Sequence, residues 1–567
     1  MHEKKAIRAA LACSIFLGAA APCAAQQRRT TSVPLWSAAP GAQVSLLKEF
    51  RSIGGGDNNL RNPTLNAVPG NPELAFTPLN FAPGAHDGLI SGPNPRTISN
   101  VIAGGTSASR QNGQTTDPVL SAWLYVFGQF VDHDLDLEQT PLNSAAINIT
   151  VPAGDPTFKP GTVIAMTRDT RSPATNTIVN TVAGYLDLSQ LYGSTPAVAA
   201  SLTNADGTLQ SSDNGLALPI VNGAFVTGDP RVMENPELTA LTILFMREHN
   251  FWVRTLRAAH PNWTAPQLYD MAKAITTAEY QNIVYTEYLP ALIGPVLGSY
   301  RGYDPTVNAQ VTQEFSTAAF RVGHSQVSDT QEGIDNRNAV IFTEPLAQAF
   351  FNTPQMDIAN GIDLLLHSLS EDYSQATDVY TVAALRNLLF AGLVGGGVDQ
   401  IDLIAIDIQR ERDVGLGTLN ATRRAIGMQP YASFAQLTAD PVLQSNLQNV
   451  YGDINAVDLF MGGLAEKHAA GANVGPTFQY IIASQFWRLR AADRFYWQNQ
   501  GFDGQTAAMI SGTTLAGILA RDTSVTNLPA DVFIEASGAA HAKAHAPAPA
   551  VIDTHGLRRV PFVNDGN

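Results

Sequence analysis

Between Trp123 and Asp136 the chain reads WLYVFGQFVDHDLD, and Trp123, Val126, Phe127 and Phe130 recur at three- and four-residue intervals. That period predicts an amphipathic helix with one apolar stripe turned to a core. Gln129, Asp132 and His133 stand at i, i+3 and i+4, so the same helix would carry an amide, a carboxylate and an imidazole side by side. Burying such a trio is costly unless each group finds a partner, which points to a bound cofactor or metal. A solvated helix face with one histidine fits these residues equally well.

Other stretches carry the helical period further. Pro236 followed by Leu238, Leu241, Leu244 and Phe245 marks the start of a long helix, with Arg231 and Glu234 at its entrance. His249, within REHN, reads as a structural histidine hydrogen-bonded between helices. STAAFRVGHSQV, residues 316–327, predicts a second unusual helix in which Arg321 and His324 share a face and Gly323 admits something flat and wide. A histidine so placed is more often core than ligand. From Asp363 almost to Thr523 the pattern is helical, broken at Gly415 and Gly417 and restarting at Asn420 and Arg423. In AGYLDLSQLYGS, Tyr185, Asp187 and Ser189 alternate with Leu186 and Leu188, so in an extended segment their oxygens could converge on a hard cation such as calcium. An aspartate satisfying its own turn is the plainer alternative. Residues 51–100 are dense in Gly, Pro and Asn but carry Leu60, Leu65, Phe76, Leu79 and Phe81, which predicts an extended segment across the surface of the main body. Thr140 to Pro173 is loop-rich, and there is no internal repeat.

The fold class expected is therefore mainly α: one large helical domain with long loops and little β structure. The 567 residues alone would also accommodate three or four domains. The net charge of −15 and pI near 5.1 argue against nucleic acid or an anionic membrane as partner. Residues 1–25 read as an export signal: Lys4, Lys5 and Arg8, an apolar core too short to span a bilayer, and Cys23-Ala24-Ala25 before Gln26. This implies a secreted or periplasmic protein. Both cysteines, Cys13 and Cys23, lie inside that segment, so the mature chain has no thiol for a disulfide, a thiolate haem ligand, a zinc site or a nucleophile. Residues 26–50 form a lead-in, 51–535 the main domain, and 536–567 a low-complexity tail expected to be disordered.

GGGDNNLRNP, NPRTISN, FGQFVDHDLD, GYLDLSQLYGS, RVMENPELTALTILFMREHN, AFRVGH, DIQRERDVGLG with Asn420, and QFWRLRAADRF follow one another from about Arg51 to about Asn527. In these motifs and in their order the chain resembles the animal-type haem peroxidases of the peroxidase–cyclooxygenase superfamily, in particular their secreted bacterial branch. The resemblance implies haem b, calcium, and reduction of hydrogen peroxide with oxidation of halides, thiocyanate or phenolic donors through a ferryl intermediate. It implies His133 as distal histidine, Gln129 beside it and Arg231 as distal arginine. His324 would ligate the iron, with Asn420 accepting the bond from its other ring nitrogen. Asp132 and Glu234 would form esters with haem methyl groups, and Arg321 and Arg423 would reach the propionates. Asp134, Ala183, Tyr185 by its carbonyl, Asp187 and Ser189 would form the calcium loop.

The chemistry of these residues agrees with that implication. One imidazole of near-neutral pKa can take the proton from peroxide and return it to the leaving oxygen. A guanidinium that cannot deprotonate can stabilise the charge that develops as the O–O bond breaks. An amide partner on His324 would leave the imidazole less anionic and raise the iron's reduction potential. Three departures stand out: Asn235 replaces a methionine that makes a third haem link in some relatives, Ala183 removes one hydroxyl from the calcium loop, and Val414 interrupts the usual RDHG. The rival readings are a fatty-acid dioxygenase, which needs a tyrosine where Arg321 stands, and a non-catalytic extracellular adhesion or binding protein, which should have lost His133, Arg231 or His324.

Overall fold

The computed structural model describes residues 44–80, 92–104, 116–138, 140–141, 144–351, 360–388, 401–534 and Phe562. The export signal and all of the tail except Phe562 lie outside them. Helices dominate the described residues, and the strands form only two-stranded antiparallel pairs, such as Thr330–Ile334 with Val340–Pro345.

Helix α1 (Trp123–Leu135) follows the predicted stripe: Trp123, Val126, Phe127 and Phe130 are buried, and Phe130 stacks on Phe245 at 5.1 Å between ring centroids. Phe245 belongs to α2 (Pro236–Ala259), the long central helix. Pro at the first helical position and Asn235, whose side chain accepts from Leu238 N at 2.8 Å, set its start. Helix α3 (Ala265–Ile283) begins with a capping box between Thr264 and Gln267 and packs along α2. His249 is fully buried in α2, bonded to Tyr192 Oη and Gly207 O at 3.1 Å each, the structural role predicted for it. α4 (Gly361–Glu371) packs on α2, and α5 (Leu403–Asp413) and α6 (Pro476–Ala491) complete the frame used below.

Two sequence expectations change. The stretch 316–327 is not one helix: the turn Gln313–Ser316 gives way to a 3₁₀ turn, Ala319–Val322, and then to Gly323–Gln326. Ala318, at φ −138° and ψ −69°, breaks the helical path between the first two. Residues 51–80 lie partly across the surface, as predicted, but also enter the core, and Phe81 lies outside the described residues. Leu74 pairs with Val311 and Gln313 through backbone bonds of 2.8 Å, and Asn58, Asn66, Leu74 and Phe76 are buried, leaving Leu60 exposed. Buried asparagines explain how so polar a segment enters the core: Asn66 donates to Gly56 O and accepts from Asn59 N. Among the described residues no helix is long and apolar enough to cross a membrane.

Candidate functional site

One end of α1 and the turn Gly323–Gln326 face each other across a cavity of about 300 Å³, with Tyr288, Phe320, Phe350 and Leu403 among its apolar walls. Gln129, Asp132 and His133 line it from α1, joined by Tyr125, while the predicted stripe of Trp123, Val126, Phe127 and Phe130 turns to the core.

Arg231 and Glu234 reach the same wall from the 3₁₀ turn Pro230–Met233 and the residue that ends it. Arg231 is held by Asp229 and by the Asp136 carbonyl. Its Nε and Nη2 donate to the Asp229 carboxylate at 3.0 and 2.7 Å, and Nη2 also donates to Asp136 O at 2.8 Å. Burial works against its charge, but Asp229 more than offsets this and raises its pKa, so the guanidinium is a fixed cation. Burial, with the positive charge of Arg231 beside it, lowers the His133 pKa to about 3. The imidazole is thus neutral at ordinary pH and able to accept a proton.

The carboxyl groups respond in the opposite sense. Burial raises Asp132 to about 6 and Glu234 to about 7, despite the nearby Arg231. Glu234 Oε2 lies 3.6 Å from His133 Nε2 and accepts from Gln129 Nε2 at 2.9 Å. Gln129 Oε1 in turn accepts from Asn235 Nδ2 at 2.8 Å, the same asparagine that caps α2. Asp136 and Glu138, neither singled out in the sequence, also line the cavity, and one oxygen of each is buried without a hydrogen-bond partner.

The opposite wall departs from the sequence reading at one residue that matters. His324 Nδ1 bonds Asp407 Oδ2 at 2.7 Å, while Asp407 Oδ1 accepts from Arg321 Nη1 at 2.8 Å. Asn420 does not reach His324. Its amide donates to Tyr431 O and Asn455 Oδ1 and its oxygen accepts from Tyr431 N, so both N–H donors and one lone pair of the oxygen are committed elsewhere. Arg423 does not line the cavity; it is stacked over Tyr431 and bonded to Gln429 O, Glu466 and Thr477. Arg321 does line it, though its Nε and Nη1 are already bonded to Ser316 O and Asp407. Burial would raise the Asp407 pKa, but His324 and Arg321 outweigh it and hold the carboxyl below the usual range.

Behind α1, Asp134 gathers the loop expected to bind calcium. Its carboxylate accepts from the backbone N–H groups of Asp187, Leu188 and Ser189 and from Ser189 Oγ. The loop is not extended: Leu188 is left-handed at φ +60° and a helical turn begins at Ser189, so the alternation read from the sequence does not exist. Asp187 Oδ1 is buried without a hydrogen-bond partner, and the Tyr185 carbonyl accepts from Asp187 N. Ala183 offers only backbone, its N–H donating to Ser194 Oγ. Arg51 and Lys273 supply positive charge near Asp187. Among the described residues no three His, Cys, Asp or Glu side chains are placed to hold a metal.

The described residues fit a haem in the cavity. His324 Nδ1 is engaged by Asp407, which leaves Nε2 as the free ring nitrogen, and beside it a side chain on Gly323 would meet nothing within 4 Å. The unpartnered Asp136 and Glu138 oxygens are polar groups for which the protein alone provides no partner.

Comparison with known proteins gives the same answer from a different direction. The family model described as animal haem peroxidase matches residues 50–533. Peroxinectin A of Dictyostelium discoideum is 30% identical over 517 residues, covering 85% of this chain and 94% of its own length. The solved structure of peroxidase A from the same organism superposes with a TM-score of 0.76 at 28% identity, covering 86% of this chain and 99% of that one. A fatty acid alpha-dioxygenase from Oryza sativa has a TM-score of 0.72 at 20% identity, covering 83% of this chain and 84% of that one, a likeness of fold alone.

Proposed function

This chain belongs to the animal haem peroxidase family, and from that membership we propose that it reduces hydrogen peroxide and oxidises small donors: bromide, iodide or thiocyanate, or phenols. The observation that carries the reading is the cavity that sets His133 and Arg231 against His324. His324 would hold the iron through Nε2, and the haem when bound supplies the redox chemistry. His133 Nε2, neutral because of its burial, takes the proton from peroxide and returns it to the leaving oxygen. Arg231, immobilised by Asp229 and Asp136, meets the developing negative charge without reorganising. Gln129 orients donors and peroxide from the same helix face, one turn before His133.

Asp132 and Glu234 are proposed as the carboxyls that esterify the haem. Asp134, Asp187, Ser189 and the carbonyls of Tyr185 and Ala183 are proposed as the calcium loop; the orphaned Asp187 oxygen supports this. Calcium there would tie the loop to the residue next to His133. Residues 1–25 support an extracytoplasmic location. The dioxygenase reading lacks its tyrosine, since Arg321 stands three residues before His324 and is bonded to Asp407.

The test is an absorption spectrum of the purified protein, then acidic acetone extraction with and without prior peroxide. A Soret band with haem retained after peroxide supports peroxidase chemistry and the ester links. Freely extracted haem removes the links, and protein that takes up no haem overturns the proposal.

A further inference from the structure

We infer that Asp407 is a positioning residue for the haem iron: by accepting the hydrogen bond from His324 Nδ1 as a carboxylate, it makes His324 a more basic ligand, lowers the iron's reduction potential and biases the enzyme toward easily oxidised donors. The inference rests on the proposed peroxidase reading and goes beyond it, because the sequence resemblance implied a neutral amide, Asn420, in this place.

The geometry gives three supports. The 2.7 Å contact between Nδ1 and Oδ2 is short for a nitrogen donor, as charge-assisted bonds are. The Asp407 side chain is fully buried and the His324 side chain 30% exposed, so water reaches the pair only from the cavity side. Its second oxygen is bonded to Arg321 Nη1 at 2.8 Å, a tether that keeps the carboxylate from turning away. A ligating histidine that donates to a carboxylate is a stronger electron donor to its metal than one that donates to an amide. More electron density on the iron stabilises its oxidised states and weakens their pull on a donor. Phenols, iodide and thiocyanate surrender electrons more readily than bromide or chloride, so they are the donors such a centre would favour. The neutral Asn420 amide, spent on Tyr431 and Asn455, contributes nothing to this balance.

The experiment compares haem-loaded wild type with Asp407→Asn, which keeps the shape and a hydrogen-bond acceptor but removes the charge. Spectroelectrochemistry of the ferric–ferrous couple should show at least a tenfold shift of the equilibrium toward ferrous iron in Asp407→Asn, about 59 mV for one electron. Resonance Raman of the ferrous protein should show a lower iron–histidine stretch in the variant, and the ratio of bromide to phenol turnover should rise. An unchanged midpoint and stretch overturn the inference. Should Asp407→Asn not fold, the wild-type stretch decides: a frequency in the range of imidazolate ligands supports the role, and one typical of amide- or water-bonded imidazole overturns it. A wild type that binds no haem, or whose iron–histidine stretch survives His324→Ala, sinks the peroxidase reading itself, an outcome distinct from an unresponsive Asp407→Asn.

Discussion

The two walls of the cavity are built on different principles. The His133 wall rests on a continuous helix whose apolar side is locked by the Phe130–Phe245 stack, so spacing along the chain translates directly into position in space. The His324 wall is assembled from three short turns and a carboxylate on α5, and its geometry exists only once those pieces pack. A helix supplies precision locally; broken turns borrow it from a distant partner. That makes the first wall tolerant of changes in its polar groups and the second sensitive to any loss of Asp407 or Arg321.

The largest effect expected is from His324→Ala, which should abolish the Soret band of protein reconstituted with haem; a variant that retains a normal spectrum would place the iron elsewhere. On the other wall His133→Ala should keep the haem yet slow the reaction with peroxide by about 10²- to 10⁴-fold in stopped flow, the range for loss of a general acid–base group. A rate equal to wild type would remove His133 from proton transfer. Phe130→Ala tests the helix beneath that wall: truncating a fully buried ring should cost about 3–5 kcal/mol in chemical denaturation, and a loss below about 1 kcal/mol would show that the stack with Phe245 is not what holds α1.

Acidification should separate the groups further. His133 has a folded pKa of about 3 against an ordinary value of 6.5. The unfolded chain therefore binds the extra proton between these values, and stability falls as pH drops through that window. Glu234, raised to about 7 from 4.5, acts in the opposite sense: the folded state holds the proton and stability falls as pH rises from 4.5 to 7. In the haem-free protein, His133→Ala should flatten the first slope and Glu234→Gln the second, read from denaturation midpoints across pH. Slopes that persist in the variants would assign them to other groups. In protein whose Asp132 and Glu234 are esterified and so cannot titrate, the rate of reaction with peroxide should likewise hold down to pH 5, whereas an acid limb centred near 6.5 would mean that His133 titrates as if exposed.

Legibility from sequence divides along the same line as the walls. The face of α1, the start of α2 at Pro236 and the structural role of His249 follow from short-range spacing, and the structure reproduces them; the Asn235 cap was not read from the sequence. The partner of His324 does not follow. Motif order pointed to Asn420, thirteen residues beyond Asp407 (420 − 407), because both sit on helices of the same segment and only packing decides which faces the imidazole. Asp407 did leave a trace: it stands one turn before Arg410, on the side of α5 that a polar cluster would need. Arg423 was lost for a similar reason, since Glu466 lies 43 residues away in sequence yet claims its charge. At Asp187 and Ser189 the failure is conformational, for a single left-handed residue, Leu188, abolishes the alternation on which the reading depended.

The asparagine at position 235 bears on how this chain could change over evolutionary time. Its oxygen caps α2 and its amide steadies Gln129, which in turn holds Glu234. Installing a methionine there, as a third haem link would require, removes the cap at a cost of about 1 kcal/mol and frees Gln129 from one of its tethers. The single step to a methionine therefore passes through a variant whose central helix has lost its cap, a loss that compensating changes in α2 could offset.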